Sequence, residues 1–203
     1  MSNDKGGESE LARPAIEVLG LAGSPRRQGN SETLLDAALD GARTAGAAVN
    51  KIILNELKFS GCQNCGFCAK EGYCRIKDDM SIVYEALDRA DRVILASPIY
   101  FTNVSAQAKM MVDRCQPYWA RKYVLKLPPK KQNRSGAFLC LGGFKKGEKF
   151  FDCSRFLVEV WMINLDVKLA HALYTPGIDA FGEIKKHPDA LEQALSIGKA
   201  LAS

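Results

Sequence analysis

Four cysteines fall within one short stretch, Cys62, Cys65, Cys68 and Cys74, with the spacing C-x2-C-x2-C-x5-C. One tight loop with x2 spacing can aim three thiolates at a single centre, and Gly66 and Gly72 ease the turns that this requires. Iron–sulfur clusters with four cysteine ligands are wrapped in this way, which makes a 4Fe–4S cluster one reading. A structural zinc site more often uses two C-x2-C pairs set well apart, so zinc fits less well. Free thiols packed as small apolar groups, a redox-active pair and a labile disulfide are the remaining readings. Cys115, Cys140 and Cys153 sit within helix or strand patterns and read as buried core thiols.

Two further segments could hold a ligand. Gly23-Ser24-Pro25-Arg26-Arg27-Gln28-Gly29-Asn30-Ser31 follows a short apolar strand and leads into a helix. It is neither a Walker loop, which needs GK[ST], nor G-x-G-x-x-G. It offers the amides of a helix N-terminus, which favour an anion. Ser24, Asn30 and Ser31 add neutral donors, and Arg26 adds a charged one. A single terminal phosphate suits this set; the competing reading is a turn that only caps a helix. Ser97-Pro98-Ile99-Tyr100-Phe101-Thr102-Asn103 follows another strand and carries two flat aromatic faces suited to a planar ring. Gly142-Gly143 after a later strand would let backbone approach a ligand. The two histidines, His171 and His187, are too scattered for a triad or a histidine metal site.

The elements that must position these residues alternate. Ile16 to Ala22, Val49 to Leu54, Arg92 to Ser97, Ala137 to Leu141 and Leu165 to Tyr174 read as strands, the last as a half-exposed edge. Pro98 is read as fixing the exit from the third strand. Between them lie helical stripes at three- and four-residue steps: Leu34, Leu35, Ala38, Leu39 and Ala42; Met80, Val83, Tyr84 and Leu87; Ala108, Met111, Val112 and Cys115; Phe156, Val160 and Ile163. Pro188 opens a last helix through Leu191, Ala194, Leu195, Gly198 and Leu201. Strict alternation implies an α/β fold, a parallel sheet with helices on both faces. Ligands of such sheets bind beyond the carboxyl ends of the strands, where the three segments above fall.

Composition agrees with one globular domain. Of 203 residues, 47% are hydrophobic and 25% charged, which excludes disordered and fibrous classes. Residues 1–14 read as a disordered tail and 15–203 as the domain. The first residues lack the apolar stretch of a secretory signal, and no apolar run is long enough to span a bilayer. A reducing, cytoplasmic setting without a membrane partner is expected. The net charge is +5, from 28 Lys and Arg against 23 Asp and Glu. Arg121, Lys122, Lys126, Lys130, Lys131 and Arg134 concentrate in a stretch without an acidic residue. It reads as a solvated loop, with no nucleic acid as partner.

GSPRxxGNS after the first strand, SPIYFxxxSxxxK leading to DR after the third, and the glycines after the fourth resemble the NADPH-dependent FMN reductase family. The resemblance runs from about Ile16 to Leu201. It implies a flavodoxin-like fold with a five-stranded parallel sheet in order 2-1-3-4-5 and bound FMN. By position, Ser24, Arg26, Asn30 and Ser31 would hold the FMN phosphate. Pro98, Ile99, Tyr100, Phe101 and Asn103 would line the isoalloxazine, and Gly142 and Gly143 would approach its pyrimidine edge. The cysteine motif also resembles the iron–sulfur flavoproteins, a branch in which a cubane cluster lies near the FMN.

The resemblance implies an oxidoreductase that takes hydride from NAD(P)H and passes electrons to a flavin, a quinone or another small acceptor. No catalytic side chain is then needed, because the flavin carries the chemistry. The alternative is an electron carrier with FMN and a 4Fe–4S cluster that exchanges electrons with ferredoxin-like proteins. A third reading, a zinc or thiol sensor at Cys62 to Cys74, needs neither flavin nor cluster. Family members usually self-associate, so a homodimer or homotetramer is expected, with Tyr118, Trp119 and Tyr123 as contact aromatics.

Overall fold

The computed structural model describes residues 16–145 and 148–203. The expected tail, residues 1–14, lies outside the described residues. Strands β1 (Glu17–Ala22), β2 (Ala48–Ile53), β3 (Arg92–Tyr100), β5 (Arg134–Gly142) and β6 (Val167–Pro176) form a parallel sheet in the order β2-β1-β3-β5-β6. This is the flavodoxin-like order that the sequence implies. A short strand β4 (Asn103–Val104) is added, antiparallel on the end of β3. The central strands are apolar because both faces are covered: Val93, Ile94, Leu95 and Ala96 of β3 have no accessible surface.

Two apolar layers result. On one face, α1 (Asn30–Thr44) and α7 (Pro188–Ala202) bury Leu34, Leu35, Ala38, Leu39, Ala190, Ala194 and Leu201 against β1, β3 and β5. On the other, α3 (Met80–Arg89), α4 (Ala106–Arg114) and α6 (Asp152–Asn164) bury Met80, Val83, Leu87, Met111, Val158 and Met162. The cysteine segment lies between β2 and α3 and holds only a short helix, α2 (Phe67–Glu71). A second short helix, α5 (Gln116–Trp119), follows α4.

Four expectations need correction. The third strand does not end at Pro98. It continues to Tyr100, because Phe101 and Thr102 take left-handed backbone, φ 49° and 65°, and turn the chain back as β4. The stripe Phe156, Val160 and Ile163 of α6 is not the core face. These residues are 69%, 42% and 46% exposed, while Ser154, Val158, Trp161 and Met162 face inward. Helix α6 is apolar on two sides, and spacing alone does not tell which side meets the sheet. Cys153 lies on the outer side of the same helix and is exposed, whereas Cys115 and Cys140 are buried. Tyr118 is a core residue, its hydroxyl bonded to Asp88 at 3.0 Å.

The basic stretch is answered from within the chain. Lys122 pairs with Asp166 at 2.7 Å and Lys131 with Asp91 at 2.8 Å, and Lys130 pairs with Asp88. Arg121 donates to the Gly72 carbonyl at 2.6 Å. Arg134 is buried and donates to the carbonyls of Leu87, Ala90 and Leu165, which ties the end of α3 to the start of β6. These cations hold their own long connection to the domain.

Candidate flavin cleft and four-cysteine cavity

The carboxyl ends of β1, β3 and β5 open on a cleft. It is lined by Ser24, Arg26, Gly29, Asn30 and Ser31 from the first turn, Pro98, Ile99 and Tyr100 from β3, and Leu141, Gly142 and Gly143 from β5. Ile178, Asp179 and Phe181, from the connection between β6 and α7, complete it. Nine of the eleven residues expected around a flavin therefore meet at one place. Phe101 and Asn103 do not. Phe101 stands at the hairpin tip, fully exposed, and the Asn103 side chain accepts from Val104 N–H at 2.9 Å.

Helix α1 begins without a side-chain cap, at Gly29 in extended backbone. The first amides of a helix have no intrahelical acceptor, so the N–H groups of Asn30, Ser31 and Glu32 remain for an anion. Arg26 is exposed beside them and makes no ion pair among the described residues. The Glu32 carboxylate in the same turn would repel an anion, but its charge is already answered. It accepts from Gln28 N–H at 2.6 Å, Arg27 Nε at 3.3 Å and Lys51 Nζ at 3.1 Å. Burial raises its pKa, and these bonds outweigh that effect and hold the carboxyl below its ordinary range. The Asn30 side chain is also committed: its Nδ2 donates to Ala180 O at 2.8 Å and its Oδ1 accepts from Ile184 N at 3.2 Å. Asn30 thus clamps the distant connection that carries Phe181 onto the start of α1.

A buried serine pair aligns the strand ends beneath the cleft. Ser105 caps α4 by accepting from Ala108 N–H at 3.2 Å, and its hydroxyl donates to Gly23 O. Its own N–H donates to the Ser97 hydroxyl at 3.0 Å. Gly23 N–H donates to Ala96 O at 2.8 Å. The loop after β1 is thereby fixed to the end of β3. The space a side chain would need at Gly142 is filled by Ile99, whose Cγ2 would lie 2.4 Å from a Cβ there. The enclosed part of the cleft is about 70 Å³. Tyr100 and Phe181, 44% and 67% exposed, stand at the mouth of the cleft.

The four cysteines line a second cavity, of about 110 Å³, with Phe67, Arg75, Arg114 and Trp119 among its other walls. It shares no lining residue with the cleft. Gly66 and Gly72 flank α2 in left-handed backbone, φ 70° and 73°, so the chain turns twice within the motif as its glycines suggest. Cys62 and Cys65 are exposed, and Cys68 and Cys74 are half-buried. Burial pushes the Cys68 thiol up, and the nearby Cys62, Cys74 and Cys65 push it further. Among the described residues no three His, Cys, Asp or Glu side chains already stand together as a metal-binding group.

Residues 16–147 match the NADPH-dependent FMN reductase family. The chain belongs to that family. Over 192 residues it is 31% identical to an iron-sulfur flavoprotein of Methanocaldococcus jannaschii, covering 92% of this chain and 96% of the relative. Over 148 residues it is 34% identical to an iron-sulfur flavoprotein of Archaeoglobus fulgidus, covering 73% of this chain and 64% of the relative. Against the latter the chain thus spans just under two thirds of the length. Among solved structures, an NAD(P)H:quinone oxidoreductase from Methanothermobacter marburgensis superposes with a TM-score of 0.71 at 18% identity, over 94% of this chain and 98% of that one. That likeness is one of fold. Within the family fold, sequence reasoning passed over Phe181, Ile178 and Asp179. They lie some 150 residues from the first turn and carry no motif; the Asn30 clamp and the bond from Ile178 N–H to Gly142 O bring them in.

Proposed function

We propose that the chain binds FMN across the cleft at the ends of β1, β3 and β5 and acts as an NAD(P)H-dependent oxidoreductase. The observation that carries this is the uncapped start of α1 meeting Arg26, Tyr100 and Gly143 in one cleft of an FMN reductase fold. The amides of Asn30, Ser31 and Glu32, with Ser24 and Arg26, hold the phosphate. Asn30 contributes through its backbone, because its side chain is spent on Ala180 and Ile184. Pro98, Ile99 and Tyr100 with Gly142 and Gly143 form the bed for the ring. When bound, FMN supplies the hydride- and electron-accepting ring, so the side chains need only position it. Purified protein is expected to carry one FMN per chain that NADPH reduces. Arg26→Ala should weaken FMN binding about ten-fold, close to 1.4 kcal/mol, in a fluorescence titration of flavin-stripped protein. Wild-type protein that takes up no FMN would remove this reading.

The four cysteines sharing one cavity favour a second reading, an iron–sulfur flavoprotein that carries electrons between proteins. Cys62, Cys65, Cys68 and Cys74 would hold a 4Fe–4S cluster, the spacing being that of a wrapped cluster. The curated relatives bearing that name support it. Stopped-flow reduction separates the two readings: the enzyme is reduced faster by NADPH, the carrier by a reduced ferredoxin.

The outer face of α6 supports self-association. Phe156, Val160 and Trp119 border an open groove of about 460 Å³, and Tyr123 and Ile163 are also exposed. Light scattering is expected to read a dimer or tetramer, and Phe156→Glu a smaller species. The mass of one chain for the flavin-loaded wild type would overturn this. Among the described residues no helix is long and apolar enough to cross a membrane.

A further inference from the structure

We propose that Arg114 is the buried countercation of the four-cysteine site, a positioning residue that closes the root of the cysteine loop and raises the reduction potential of the cluster. This rests on the reading that the four thiols hold an iron–sulfur cluster.

Arg114 ends α4 and is 1% exposed. Its Nη1 donates to Ser60 O at 2.8 Å and to Asp78 Oδ2 at 2.7 Å, and its Nη2 donates to Asp78 Oδ1 at 3.0 Å. Asp78 in turn accepts from Ser60 N–H and from Met80 N–H, both at 3.2 Å. Ser60 precedes Cys62 and Asp78 follows Cys74, so one guanidinium closes the loop from both ends. A fork with two planar bonds to one carboxylate is a task that lysine cannot copy.

Closure alone does not require a charge there. A buried ion pair is costly to desolvate and often contributes little net stability, so its orientation is the informative feature. Arg114 lines the cysteine cavity and Asp78 does not. Arg75 is the other cation of that lining, and no carboxylate belongs to it. The Arg114 Nε–H is buried and has no acceptor among the described residues. Of the pair, the cation and not the carboxylate thus belongs to the wall of the cysteine cavity, and it keeps one donor unspent. Burial lowers the Arg114 pKa, but the Asp78 carboxylate bonded to it leads the effects that outweigh this, so the cation persists. A cluster on four thiolates is anionic and gains negative charge when one electron enters. A cation fixed beside it, itself buried, favours the reduced form. Arg75, exposed, is screened by water and salt and does less.

The test is a redox titration followed by electron paramagnetic resonance on anaerobic protein with iron and sulfide quantified. Arg114→Met is expected to move the midpoint to a lower potential. Asp78→Asn, which leaves the cation and removes its partner, is expected to move it higher. Arg114→Lys should stay nearer the wild type while losing iron faster, because it keeps charge without the fork. A merely structural staple would lower iron content in all three and leave the midpoint of the remaining cluster unchanged. That result overturns the proposal. Should Arg114→Met fail to fold, Arg114→Lys and Asp78→Asn decide it by their midpoints. A wild type without iron and sulfide removes the cluster reading, and this inference with it, before any variant is compared.

Discussion

Serine at Cys68 is expected to leave the anaerobically purified protein with its FMN and without iron or acid-labile sulfide. Cys68 lies in the only helical turn of the motif, half-buried, and burial with three neighbouring thiols disfavours its thiolate. A metal must therefore displace that proton as it binds, a step available to a thiol near neutral pH and closed to an alcohol. With one of four ligands gone, iron per chain should fall at least ten-fold. Flavin should not follow it, because the cysteine cavity and the flavin cleft have no wall in common. Iron, sulfide, zinc and flavin measured on both proteins decide the matter. Unchanged iron in the variant would show that Cys68 is not a ligand, and zinc in the wild type would replace the cluster altogether.

Gly198→Ala is expected to lower the melting temperature by roughly 2–12 °C. In an isolated helix the same change would stabilise by about 1 kcal/mol, since glycine is a poor helix former. Here a Cβ would stand 1.7 Å from Ala38 O and 3.0 Å from Ala42 N, both backbone atoms of α1. A side chain could rotate away, but a carbonyl inside a helix cannot, so α7 must lift off α1. Overpacking of this kind costs about 1–3 kcal/mol, and a protein of this size loses about 2–4 °C for each kcal/mol. Gly41 makes the reciprocal approach, its Cβ position 2.0 Å from Leu195 O. Gly41→Ala should have a similar effect, and the pair should cost less than the sum, because both separate the same helices. Scanning calorimetry checks this. A melting temperature raised by either substitution would mean that the helices do not cross so closely.

Much of this chain is legible in its sequence because the signals are local. The alternation of short apolar strands with periodic helices determined a parallel sheet, and the turn chemistry after β1 determined where an anion could sit. The cysteine spacing with Gly66 and Gly72 determined that several thiols share one loop. Each rests on residues a few positions apart, where backbone geometry alone relates them.

Only the tertiary structure decided which side of α6 is inward, since an apolar stripe on each face satisfies the same period. It alone decided that Asn30 clamps Ala180 and Ile184, that Phe181 borders the cleft and that the basic stretch meets its acids at Asp88, Asp91 and Asp166. It decided too that Arg114 reaches Ser60 and Asp78 from another helix. Those partners are tens of residues apart, and a hydrogen bond of about 3 Å between them exists only once packing has brought their elements together.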